Sequence, residues 1–279
     1  MNRDRVVCYT LDLEHDYAGV APTEAYETLA NRQALDRLAT IVRRHDLKLT
    51  VFATGLVMAQ HRDAVHLFED MGAEIELHGY SHTMRNPDFV AEIENGLVAY
   101  HSLFGRTPLG YRSPGGVTSP LLFETLVKAG IKYDSSIVPS FRLGVYSNLR
   151  ESTKPYTHPG FSLVELPMGV VPGVRLPVAT SYMRLLGWPT YRLLFRLFGM
   201  PAPLVYLFHL VDLVPASMRR RLSPFLRSAY ARGEGKGLDM FEASVRFFES
   251  SGYAPAYMSD LYWDSAGGQV TSPVGMGGR

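Results

Sequence analysis

The chain has one cysteine, Cys8, among 279 residues, so no disulfide can form within it and nothing points to an oxidising compartment. Net charge is scarce too: 28 basic against 27 acidic side chains leave +1. So even a balance gives no general attraction for nucleic acid, and no such partner is expected. A long hydrophobic run is also missing. The most apolar stretch, Ser181 to Arg221, is cut by Arg184, Arg192, Arg196 and Asp212 before the roughly 20 apolar residues of a membrane span accumulate. The opening residues, MNRDRVVCYTLDLEHD, lack the apolar centre of a secretory signal, so the expected location is cytoplasmic.

What is present is a globular composition. Hydrophobic residues make up 46% and charged residues 20%, enough to bury a core and too apolar for a disordered chain. The length exceeds that of most single domains, but α/β barrels reach it as one folding unit. One domain over residues 1–264 is therefore expected, followed by a flexible Gly-rich tail over 265–279.

Periodicity gives the architecture. Val6 to Leu13 and Leu47 to Thr54 read as buried strands. Between them Leu35, Leu38, Ile41 and Val42 mark the inner stripe of an amphipathic helix, with Arg32, Asp36, Arg37, Arg43 and Arg44 on its wet side. The alternation continues. A helix is predicted over Leu56 to Met71, a strand over Glu74 to Leu77, and a third helix along Phe89, Ile93, Leu97, Tyr100 and Phe104. Gly110 to Arg112 reads as a short strand. Ser119 and Pro120 then open a helix that Gly130 stops. IKYDSSI, LVELPMG and LVYLFHL are further strand candidates, and a last helix is predicted from Leu238 to Ser250. Repeated strand–helix units imply a parallel sheet, and a (β/α) barrel is favoured because the polar clusters fall at predicted strand C-termini: Asp12 to Asp16, His78 to His82, Arg112 to Gly116, Asp134 to Ser136 and His209.

Chemistry concentrates in LHGYSHT, where His78 and His82 lie four positions apart. On a helix, or in a tight loop after a strand, that spacing brings two imidazoles to one point, as a divalent metal requires. Spacing alone is weak evidence with nine histidines in the chain. Asp12, Glu14 and Asp16 share one face if β extension persists beyond Leu13, and His15 lies among them as a further donor.

Four segments in order, TLDLEHD, HGYSH, YRSPGG and YLFHLVD, resemble the motifs of the polysaccharide deacetylase family, the NodB-homology carbohydrate esterases, over most of the chain from Val6 to about Asp264. The resemblance implies a distorted (β/α) barrel of about seven strands and removal of an acyl group from an amino-sugar nitrogen. It also implies a metal held by one carboxylate and two histidines: His78 and His82 with either Glu14 or Asp16. Zinc is the first candidate, with cobalt, nickel, manganese or iron as others. Such a metal polarises the amide carbonyl and acidifies water, the two difficulties of amide hydrolysis at neutral pH. By the same resemblance Asp12 is the catalytic base, Arg112 the arginine that holds it ionised, and His209 the general acid, oriented by Asp134 or Asp212. Tyr111, Gly115 and Gly116 become candidates for the substrate and oxyanion side, Gly115 standing where relatives often carry an aromatic residue.

Residues 181–221 form an aromatic and Arg-rich stretch, expected as an insertion. Arg192 and Arg196 lie one turn apart beside Trp188, Tyr191, Leu194, Phe195 and Phe198, compatible with an interfacial helix on anionic lipid, to which Arg219, Arg220 and Arg221 would add charge. The substrate would then be a polyprenyl- or lipid-linked amino sugar met at the inner membrane face. Two other readings share the scaffold: hydrolysis of a small cyclic amide, as in allantoinase-like members, and a non-catalytic carbohydrate- or membrane-binding module.

Overall fold

Val6 to Leu13 alternates branched and aromatic apolar residues with Thr10 and Asp12, and it forms strand β1 (Val6–Leu13), buried from Val7 onward. Burial on both faces is the mark of a strand inside a parallel sheet. The computed structural model describes residues 5–21, 24–142, 145–232 and 235–267. Along the chain follow β2 (Leu49–Ala53), β3 (Glu74–Leu77), β4 (Gly110–Tyr111) and β5 (Tyr133–Asp134). Then come β6 (Phe141–Arg142), β7 (Tyr146–Ser147), β8 (Tyr156–Thr157), β9 (Val164–Glu165), β10 (Leu204–His209) and β11 (Ala254–Pro255).

The main sheet has the order β10-β1-β2-β3-β4-β5-β9-β8, with β11 added beside the start of β1, while β6 and β7 pair only with each other. The strands from β10 to β9 run parallel, and β8 is antiparallel to β9. This is the curled (β/α) sheet expected. Its edges meet without a continuous ladder: the Gly169 N–H donates to the Val205 carbonyl at 2.8 Å, and Ala179 bridges Leu207. The ring is therefore distorted where β9 and β10 face each other.

Helices cover the outer face where the periodicity places them. The helix Arg32–Arg44 buries Leu35, Leu38, Ile41 and Val42, and the Asn31 side chain caps it by accepting the Ala34 N–H. Ser119 caps Pro120–Lys128 through the Leu122 N–H. Two differences emerge. The single helix expected over Leu56–Met71 is two, Gly55–Gln60 and Arg62–Asp70. His61 ends one and starts the other: its N–H bonds back to Val57 while its carbonyl accepts from Ala64 and Val65. A final helix spans Met258–Ser265 and anchors Met258 and Leu261; so short a segment offers too few positions for a periodic signal. Ser265, assigned from sequence to the tail, is its last residue, and 268–279 lie outside the described residues.

The insertion expected over 181–221 is corrected. Its residues Leu204–His209 are β10, paired with β1 from Val7↔Leu204 to Asp12↔His209. The stretch is thus part of the barrel wall, which explains its apolar content: the strand is buried by β1 on one side, and the helix Trp188–Phe198 buries Tyr191 and Phe195. Phe195 stacks on Phe247 with ring centroids 5.9 Å apart. No helix among the described residues is long and apolar enough to cross a membrane.

Candidate active site

Parallel strands end on one rim, and that is where the polar motifs meet. Asp12, one residue before the end of β1, lies beside His209, the last residue of β10, in direct register. His78 follows β3, and its N–H bonds the Ala53 carbonyl at the end of β2. Arg112 follows β4 and bonds the Leu77 carbonyl in the same manner. Hydrogen bonds that continue the ladder past the strands therefore fix the backbone from which the functional side chains project.

Glu14, His78 and His82 each offer a ligand atom, all within 4.8 Å of one another. The Glu14 Oε2 lies 2.6 Å from His82 Nε2 and 3.2 Å from His78 Nε2. His78 Nδ1 sits 2.8 Å from the Arg112 carbonyl, which can only accept, so the proton is on Nδ1 and the lone pair of Nε2 faces Glu14. Burial disfavours the Glu14 carboxylate, but His82, His78 and His209 outweigh it and hold its pKa well below the usual range. The donor set, two imidazole nitrogens and one carboxylate with further positions open, fits a divalent cation.

The loop carrying the second histidine is held under tension. His82 has φ of 64°, a left-handed conformation that costs a β-carbon-bearing residue on the order of 1–3 kcal/mol. Glu92, from the helix Phe89–Phe104, offsets this by accepting the N–H groups of Tyr80 at 2.8 Å and Ser81 at 2.9 Å.

Asp12 is gripped from behind. Arg112, fully buried, places Nη1 2.7 Å from Asp12 Oδ1 and 2.9 Å from Thr10 Oγ1. Its Nη2 and Nε reach Ser135 Oγ and the Ser135 carbonyl, both at 3.1 Å, and the guanidinium lies over the Phe52 ring. The other carboxylate oxygen of Asp12 stays toward the cavity, 3.8 Å from both His78 Nε2 and His209 Nε2.

His209 has the opposite orientation to a packed strand histidine. Asp212, in the helix Leu210–Leu213, accepts the His209 N–H at 3.1 Å and faces its Nδ1 at 3.2 Å, leaving Nε2 toward Asp12 and Glu14. Burial lowers the His209 pKa, yet the Asp212 hydrogen bond and the charges of Glu14, Asp212 and Asp12 raise it to about 9. The ring therefore holds a proton at neutral pH. Asp212→Asn should slow turnover on the order of 10²-fold and move the alkaline limb of kcat to lower pH, because Asp212 stabilises the imidazolium; a pH–rate profile checks both.

Four sequence expectations come out differently. Asp16 is outside the cluster because the chain turns after Leu13 and breaks the strand alternation; its carboxylate instead accepts the Glu27 N–H at 2.6 Å and the Thr28 hydroxyl. Asp134 does not contact His209 but lies against Ser136 in a separate buried group, so Asp212 is the orienting acid. Tyr111 is a core residue. The Gly116 N–H is engaged by the Ser113 carbonyl at 3.0 Å, and Gly116 contributes cavity wall alone. Gly115 lines the same cavity with φ of 63°, so glycine suits a conformation that a side chain would strain. His15 packs edge-on against His82.

These groups open onto a cavity of about 420 Å³. Tyr146, Tyr182 and Tyr230 line it, as do Arg142 and Met84. Sequence reasoning missed them and Glu92, since isolated residues outside the four motifs carry no spacing signal.

Residues 22–133 match the family model described as polysaccharide deacetylase. Over that part the chain resembles the polysaccharide deacetylase family. Over 152 residues it is 28% identical to a peptidoglycan deacetylase of Helicobacter pylori, covering 50% of this chain and 51% of that protein; the chain spans about half the length of this curated relative. Among solved structures, a putative polysaccharide deacetylase from Mycobacterium smegmatis superposes with TM-score 0.58 at 19% identity, covering 95% of this chain and 91% of that one. An allantoinase superposes with TM-score 0.61 at 15% identity, covering 95% and 92%. Both share the curled (β/α) fold with this chain.

Proposed function

We propose that the protein is a metal-dependent hydrolase that removes an N-acyl group, acetyl or formyl, from an amino sugar. One observation carries the reading: a base held by a buried arginine, a two-histidine, one-carboxylate donor set, and a histidine whose Nδ1 faces its own acid all converge on one cavity. Glu14, His78 and His82 would hold the cation, which when bound supplies Lewis acidity toward a carbonyl and toward water. Asp12, fixed through Oδ1, accepts the proton of the attacking water at Oδ2. His209 gives its Nε2 proton to the departing nitrogen, without which an amide anion would have to leave. The tyrosines around the mouth offer apolar faces and hydroxyls of the kind a sugar ring meets.

Deacylation of a panel of N-acetyl and N-formyl amino sugars, with zinc or cobalt added back after chelation, is the test. Metal-restored release of acetate or formate is expected. Ring opening of a cyclic ureide with no amino sugar cleaved would replace the reading with the cyclic-amide one, and no hydrolysis with any metal would leave a binding module.

For the substrate's form we propose a lipid-linked amino sugar. The support is local: Leu193, Leu197 and Phe198 are exposed beside exposed Arg192 and Arg196 on one helix, and the preceding helix Thr180–Leu186 supplies Ser181 and Tyr182 to the cavity. This surface differs from the sequence expectation, whose Tyr191 and Phe195 face the core. Sedimentation with anionic vesicles should be lost in Arg192→Glu/Arg196→Glu; equal retention on neutral vesicles, or none on either, removes the lipid reading.

A further inference from the structure

β5 and β9 are parallel neighbours with Asp134 directly opposite Glu165, which sets two acids side by side on one face. His158 follows β8 on the far side of β9. All are buried, Asp134 and Glu165 completely and His158 to 5% exposure. Each offers a ligand atom, all within 4.8 Å of one another.

The hydrogen bonds in this group leave a gap in the middle. Glu165 Oε1 accepts the Ile137 N–H at 2.9 Å, and Asp134 Oδ1 accepts the Ser136 hydroxyl. Glu165 Oε2 faces His158 Nε2 at 3.1 Å. Asp134 Oδ2, fully buried, receives no N–H or hydroxyl group among the described residues; the Asp134 carboxyl lies against that of Glu165, and Arg112 acts on Glu165 through its charge without forming an ion pair with it. Two adjacent carboxylates without a cation are costly to bury. Burial pushes the Glu165 pKa up to about 8; burial and the charge of Glu165 push that of Asp134 well above its ordinary value. A dication among them would reverse that pressure.

From this geometry we infer that Asp134, His158 and Glu165 form a second divalent-cation site, of zinc type, separate from the Glu14 centre. Its pattern, an imidazole Nε2 turned onto a carboxylate oxygen with a second acid oxygen left open, repeats that of His78 and Glu14. One nitrogen and two oxygens suit zinc, with Ser136 Oγ or water able to complete the set. The site braces the active-site loop. Ser136 Oγ, which donates to Asp134, also accepts the Ser113 N–H at 2.8 Å, and Ser113 leads into the Pro114–Gly116 turn that borders the cavity. The cation would act in a positioning role, with no contact to substrate.

Zinc counting on folded, chelator-washed protein tests this independently of the proposed activity. Wild type should hold about two zinc ions per chain, His78→Ala/His82→Ala about one, and the further change Glu165→Gln in that background none. Zero zinc in the double variant overturns the inference and points to a proton shared by Asp134 and Glu165 in its place. One zinc that persists in the triple variant also overturns it. If Glu165→Gln fails to fold by circular dichroism, His158→Gln replaces it, and the double-variant count still decides. Failure of the Glu14 centre looks different: wild type would then hold one ion, lost with Glu165→Gln and kept without His78 and His82.

Discussion

Asp12→Asn should lose turnover by about 10²- to 10⁴-fold while its bound zinc is unchanged. The amide keeps the shape of the carboxylate and can still face Arg112 Nη1, which now sits 2.7 Å from Asp12 Oδ1, but it can no longer accept the proton of a water molecule. His78→Ala should lose turnover and the zinc of the Glu14 centre, because Nε2 of that residue is one of the three donors grouped within 4.8 Å. Parallel measurement of zinc content and kcat on the two variants separates base from ligand. Full activity in Asp12→Asn would remove the base assignment, and retained zinc in His78→Ala at the Glu14 centre would remove the donor set.

Arg112→Met should be the most destabilising single change, by about 3–5 kcal/mol, read as a fall in the urea midpoint. The guanidinium is completely buried and serves Thr10 and Asp12 on β1 and Ser135 just after β5. Its loss leaves the 5%-exposed Asp12 as an uncompensated charge. Asp12→Asn/Arg112→Met should therefore recover part of the stability that Arg112→Met loses, since no buried charge is left unpaired. A single variant as stable as wild type would show that the pair is not held in a dry interior. Lysine should not rescue, because a point charge cannot reach Asp12 and Ser135 through separate nitrogens.

The strands and helices were legible where period and length were both sufficient. β1, β2 and the helix Arg32–Arg44 have runs long enough for burial to imprint a pattern, whereas Met258–Ser265 does not. The candidate site was legible where motif residues lie at strand ends. Asp12, His78, Arg112 and His209 all project from positions that ladder hydrogen bonds fix. Asp16 and Asp134 were misplaced for a common reason: a turn or a neighbouring strand redirects a side chain that looks equivalent along the chain. Gly115, with φ of 63°, shows the reverse case, in which a residue type reports a backbone state that no spacing encodes.

By itself the sequence determined the alternating α/β architecture, the absence of any intrachain disulfide, and the four ordered motifs with their histidines and acids, because composition and periodicity follow from which faces must be buried. Only the tertiary structure decided between Glu14 and Asp16, paired His209 with Asp212, placed the strand 204–209 beside β1 in the barrel wall, and set Asp134 beside Glu165 and His158. Those choices depend on which strand lies next to which, and on where each chain turns after its strand ends. Neither is a local property, since contacts between segments more than a hundred residues apart are fixed by packing the whole sheet.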